Sequence, residues 1–89
     1  MLVLYRSNQK ANCRLGMLIG KRAVSTAVER NRIKRTIRES FRHSQHKLKG
    51  FDVIVIARQQ CDTLSNSKLR EGIENLWAKL LTQYQNSSR

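Results

Sequence analysis

The run Ala27-Val28-Glu29-Arg30-Asn31-Arg32-Ile33-Lys34-Arg35-Thr36-Ile37-Arg38-Glu39-Ser40-Phe41-Arg42-His43 decides how this chain folds. At about 100° per residue, Ile33, Ile37 and Phe41 fall on one stripe, and Leu48 extends it if the helix runs on. Asn31, Lys34, Arg35, Arg38 and Arg42 fall on an adjacent stripe that holds no acid. Glu29, Thr36, Glu39 and His43 make a third. The pattern predicts an amphipathic helix from about Ala27 to His43, with a core face and a cationic face. Ser25 and Thr26 are candidate N-caps, and Gly50 is a stop beyond the frayed end.

Outward from this helix the period changes. Met1 to Arg6 alternates and is rich in Leu, Val and Tyr, which predicts a strand. Residues 7–12 are polar and read as a turn. Arg14 to Ile19 is a second apolar run, so a hairpin is the simplest connection between the two. Gly20-Lys21-Arg22 closes that hairpin with a basic cluster. Downstream, Phe51 to Ala57 contains the continuous run Val53-Ile54-Val55-Ile56, which predicts a central strand buried on both faces. Residues 58–63 read as a loop, and Ser65 as the N-cap of a last helix carrying Leu69, Ile73, Leu76, Trp77, Leu80 and Tyr84 on one face. This helix is predicted to run to about Gln83, with residues 83–89 a frayed tail. The order strand–strand–helix–strand–helix gives a single α+β domain over residues 1–89, with helices packed on one sheet.

Charge narrows the function. Eighteen Lys and Arg against six Asp and Glu give a formal net charge of +12. Residues 10–49 hold twelve of those cations and two of the acids. A surface this basic calls for a polyanion: nucleic acid, an anionic membrane or an acidic protein. Its concentration in one segment points to a binding face. Phosphates are met by several cations at helical spacing, and arginine adds bidentate contacts that lysine cannot make. Asn31, within the stripe, can contact a sugar, a base or a hydrated metal ion. The plain alternative is a solvated helix face. Tyr5 is either a base-stacking residue or a core residue, and Trp77 is read as core. His43 and His46 have no third ligand near them, so they are read as exposed or phosphate-contacting. Cys13 and Cys61 form no CxxC pair and are read as free thiols of a reducing compartment. The six acids show no motif spacing with a base or nucleophile, and there is no Gly-rich phosphate loop. No protein-borne catalytic centre, protein metal site, signal peptide or membrane span is expected.

Lys21-Arg22, then Ala27 through Arg35, then Arg38-Glu39-Ser40-Phe41-Arg42, resembles the signature of the bacterial ribonuclease P protein subunit. The resemblance continues through Phe51-Asp52-Val53-Ile54-Val55-Ile56-Ala57-Arg58 and the Leu76-Trp77 helix, covering about Leu2 to Leu81. It implies a cytoplasmic subunit of a ribonucleoprotein endoribonuclease in which RNA, with Mg²⁺, removes the 5′ leader of precursor tRNA. The protein binds the catalytic RNA and the leader, and needs no protein partner. By position, the resemblance makes Arg30, Asn31, Arg32, Lys34, Arg35 and Arg38 RNA-facing, with Lys21 and Arg22 assisting. Arg42 extends the same stripe, and Tyr5 lines the leader cleft. It also implies a left-handed βαβ crossover where general topology favours a right-handed one. Family members carry a further N-terminal helix that walls the leader cleft. Here the sequence opens at Met1, inside the first strand: either the start is displaced, the chain is trimmed, or this version lacks that wall, in which case catalytic-RNA binding is expected to survive while leader binding and fold stability are at stake. The rival functions are a ribosomal-protein-like structural RNA binder with no role in cleavage and a DNA-binding helix module, the latter without a helix-turn-helix pair.

Overall fold

The computed structural model describes residues 1–21, 24, 26–57 and 65–87. Its elements are β1 (Leu2–Ser7), β2 (Arg14–Ile19), α1 (Ala27–His43), β3 (Phe51–Ala57) and α2 (Asn66–Ser87). The bounds of α1 match the predicted helix. Thr26, in extended conformation, caps it by accepting the Glu29 N–H at 3.2 Å. Such a cap contributes about 1 kcal/mol.

The predicted hairpin does not form. The strand order is β1-β3-β2, so β3 lies between the two strands expected to pair. β3 is antiparallel to β1 and parallel to β2. The reason lies in the connection between β1 and β2, which is tied across the start of β3 instead of closing on itself. The Asn8 N–H donates to Gly50 O at 2.7 Å and the Gly50 N–H to Asn12 O at 3.0 Å. Asn8 Oδ1 accepts the Lys10 N–H at 2.8 Å, an Asx-type turn, and Gln9 takes φ +57 inside it. Gly50 sits at φ +87, a conformation that glycine adopts without strain. The parallel pair β2–β3, joined through α1, is a βαβ unit.

Centrality does not bury β3 on both faces as predicted. Phe51, Val53, Val55 and Ala57 are buried under the helices, whereas Ile54 is 40% exposed on the other side. Both helices pack on one face, so the alternation of the antiparallel class wins over the apolar run. The core joins these residues to Ile33, Ile37 and Phe41 of α1 and to Leu69, Ile73, Trp77 and Leu80 of α2. Leu48 joins the core too, but α1 ends at His43 and the chain reaches Leu48 through turns beginning at Ser44. Thr36 and Ser40, small polar residues of α1, are buried, and the Thr36 hydroxyl donates to Arg32 O at 3.0 Å. Trp77 Nε1 donates to Ser40 Oγ at 2.9 Å, which gives a buried indole N–H its partner. Helix α2 continues to Ser87, past the predicted end at Gln83. Tyr84 meets Phe51 edge-on at 4.8 Å, and this tertiary contact holds a turn that would fray alone.

On the open sheet face, Asp52 of β3 stands beside Arg6 of β1 and Arg14 of β2 in the strand register. Arg14 donates to both carboxylate oxygens at 3.0 and 2.7 Å, Asn8 Nδ2 donates at 2.9 Å and Arg6 Nε at 3.2 Å. Led by Arg14, these donors hold the Asp52 carboxyl well below the usual carboxylate range. A depressed folded-state pKa stabilises the fold above the unfolded value, and that stabilisation is lost as pH falls. The thermal midpoint is therefore expected to drop as pH goes below about 4. Asp52→Asn is expected to lower the midpoint at neutral pH and to remove this part of the acid dependence. Thermal scans by circular dichroism between pH 7 and pH 3 check both.

Candidate nucleic-acid interface

The core stripe of α1 sets which residues face outward. With Ile33, Ile37 and Phe41 buried, Asn31, Arg35, Arg38 and Arg42 are exposed on the opposite side. Together with Glu39 they line a groove of about 380 Å³. Three guanidiniums and one amide thus share a surface at three- and four-residue spacing, as phosphate recognition requires. Arg42 and His43 lie in the last turn and Glu29 in the first, the charge order that the helix dipole favours. Val28, 76% exposed, stands two turns before Arg35 on the same line and adds an apolar point that the sequence reading missed.

The other candidate residues are placed differently. Glu39 breaks the expectation of an acid-free stripe, because it lines the same groove. It lies 3.9 Å from the Arg70 guanidinium of α2, both side chains being more than half exposed, so the pair is weak. Lys34 is half-buried at the edge of the stripe. Arg30 is half-buried and donates to Val24 O at 3.0 Å. Arg32 turns inward to Glu29 and to Asn66 of α2. Lys21 is exposed just before α1, and Arg22 lies outside the described residues. His43 and His46 are both exposed. Among the described residues no three His, Cys, Asp or Glu side chains come together to hold a metal ion. Cys13 is a free, half-buried thiol whose pKa burial pushes up, and Cys61 lies outside the described residues.

Tyr5 is half-buried on the helix side of β1, in line with Val53 in the register. Its ring meets Phe51 edge-on at 6.0 Å, and Phe51 meets Tyr84. The three rings run from the edge strand to the end of α2, with Tyr84 38% exposed. Sequence reasoning assigned Tyr84 to the apolar stripe of α2 and Phe51 to the start of a strand. Only the register of β1 on β3 and the path of α2 bring them to Tyr5. The opposite sheet face carries a separate hollow of about 410 Å³ over Gly16, between Leu4 and Ile54 and beside the Asp52 cluster.

Fold and site together define a class: a two-layer α+β module that presents an arginine-rich face on α1 and a run of aromatic rings at the β1 edge. The family model described as ribonuclease P matches residues 1–81, and the chain belongs to that family. It is 49% identical over 81 residues to the ribonuclease P protein component of Pseudomonas aeruginosa, covering 91% of this chain and 60% of that protein. It is 50% identical over 80 residues to the corresponding component of Ectopseudomonas mendocina, covering 90% and 60%. The chain thus spans about 60% of the length of these curated relatives. The fold is similar to the ribonuclease P protein of Staphylococcus aureus, with a TM-score of 0.79 at 32% identity, covering 88% of this chain and 72% of that one. For the Thermotoga maritima protein the TM-score is 0.74 at 33% identity, covering 86% and 74%. Among the described residues no helix is long and apolar enough to cross a membrane.

Proposed function

We propose that this chain is the protein component of ribonuclease P: it binds the catalytic RNA and precursor tRNA, and assists removal of the 5′ leader in the cytoplasm. The observation that carries the reading is the exposed line Asn31, Arg35, Arg38 and Arg42 on a helix whose opposite face is locked into the core. The chemistry resides in the RNA, which would draw on bound Mg²⁺ for electrostatic stabilisation. The protein contributes positioning. Arg35, Arg38 and Arg42 take phosphates of the catalytic RNA, Asn31 a sugar, base or metal-bound water, and Lys21, Arg30 and Lys34 extend the basic surface; Arg22 is assigned an assisting role on the family resemblance alone. Tyr5, continuous with Phe51 and Tyr84, offers the aromatic edge on which unpaired leader bases stack.

Reconstitution tests this reading. Mixed with a ribonuclease P RNA and precursor tRNA at low Mg²⁺, the protein is expected to raise the rate of leader release above that of RNA alone. Affinity for ribosomal RNA with no stimulation of cleavage would favour the structural RNA binder instead.

A further inference from the structure

Arg32 sits in the middle of the arginine run but does not point outward with Arg35 and Arg38. Its side chain is 25% exposed. Its Nε donates to Glu29 Oε2 at 2.8 Å, and one terminal nitrogen donates to Asn66 Oδ1 at 2.7 Å. Asn66 opens α2, just after Ser65, which caps that helix by accepting the Lys68 N–H at 3.2 Å. Glu29 is itself placed by Thr26, the cap of α1. One guanidinium therefore ties the first turn of α1 to the first residue of α2.

Besides the weak Glu39–Arg70 pair, the helices are tied again by Trp77 to Ser40, with Phe41 edge-on to the indole at 5.9 Å. Arg32 meets Asn66 and Ser40 meets Trp77, so α1 and α2 run in the same sense, tied at the start of α2 and again at its middle. Two separated ties fix the rotation of α1 about its own axis, and with it the direction of the Arg35–Arg38–Arg42 line. A lysine cannot replace the first tie, because it lacks the planar fork that reaches two acceptors at once.

We propose that Arg32 is a positioning residue. It clamps α1 to the start of α2, sets the direction of the cationic stripe and makes no phosphate contact of its own. The proposal rests on the reading of α1 as the RNA-binding face. It differs from that reading in taking Arg32 out of the contact set that the family resemblance suggests.

Salt dependence separates the two roles, since each lost phosphate contact flattens the plot of log affinity against log salt by about one unit. Binding of the full chain to a ribonuclease P RNA is measured across a salt series. Arg32→Ala is expected to weaken binding by about threefold to tenfold with its slope unchanged, as for a coupling that acts through packing. Asn66→Ala, which removes no charge, is expected to weaken binding in the same way. The double variant is expected to be little worse than Arg32→Ala. Arg32→Lys, which keeps the charge and loses the fork, is expected to behave like Arg32→Ala. The proposal is overturned if Arg32→Ala removes about one unit of slope, if Arg32→Lys restores affinity, or if Asn66→Ala binds as tightly as the unaltered protein. Asn66 is exposed, so its variant gives a reading even if Arg32→Ala does not fold. Arg35→Ala is the control and is expected to flatten the slope. If only the Arg32 and Asn66 arms fail, the RNA-binding reading stands. If the Arg35 slope is also unchanged, both fall.

Discussion

Trp77→Ala is expected to remove a large share of the protein's stability. Trp77 is 3% exposed and fills the seam between α1 and α2. Truncation opens a cavity there and leaves the buried Ser40 hydroxyl without its donor. A large aromatic cut to alanine in a core costs about 3–5 kcal/mol. A chain of 89 residues has roughly 4–13 kcal/mol of total stability at about 0.05–0.15 kcal/mol per residue. The thermal midpoint should therefore fall by at least roughly 12 °C, at about 4 °C or more per kcal/mol for a domain of this size. Trp77→Phe keeps most of the volume and loses only the N–H, so its drop should be much smaller. Circular dichroism melts of the two variants check the order. A Trp77→Ala midpoint within a few degrees of the unaltered protein would mean that the helix seam is not where the fold is held.

The helices were legible in the sequence because their signals are local. The apolar stripe of α1 and its Thr26 cap lie within one segment, and so do the stripe of α2 and its Ser65 cap. The strand pairing was not legible. Nothing in residues 2–19 says that β3 intervenes, because that order depends on Asn8 and Asn12 bonding to Gly50 far along the chain. The same limit applies to the site. The exposed cationic line could be read from spacing alone, since the core stripe dictates what remains outside. The inward turn of Arg32 could not, because its partner Asn66 belongs to another helix. Nor could the aromatic run from Tyr5 to Tyr84, which needs the register of β1 on β3 and the path of α2.

The second large effect concerns binding. Arg35, Arg38 and Arg42 are exposed on α1, so replacing all three by alanine should leave the fold intact, with a melting midpoint close to that of the unaltered protein. Their loss should remove three phosphate contacts. Each contact contributes a salt exponent of about 0.9, so a fourfold rise in salt should cost the triple variant ~1.6 orders of magnitude less affinity than it costs the unaltered protein. At low salt, where counterion release is strongest, the variant should bind far more weakly.

That salt series, run on the unaltered protein and the triple variant with a ribonuclease P RNA, tests the central claim most directly. The account predicts that the slope of log affinity against log salt is shallower in the variant by about three units, with the fold unchanged. Equal slopes in two folded proteins would contradict it, and would make the arginine line of α1 a solvated helix face.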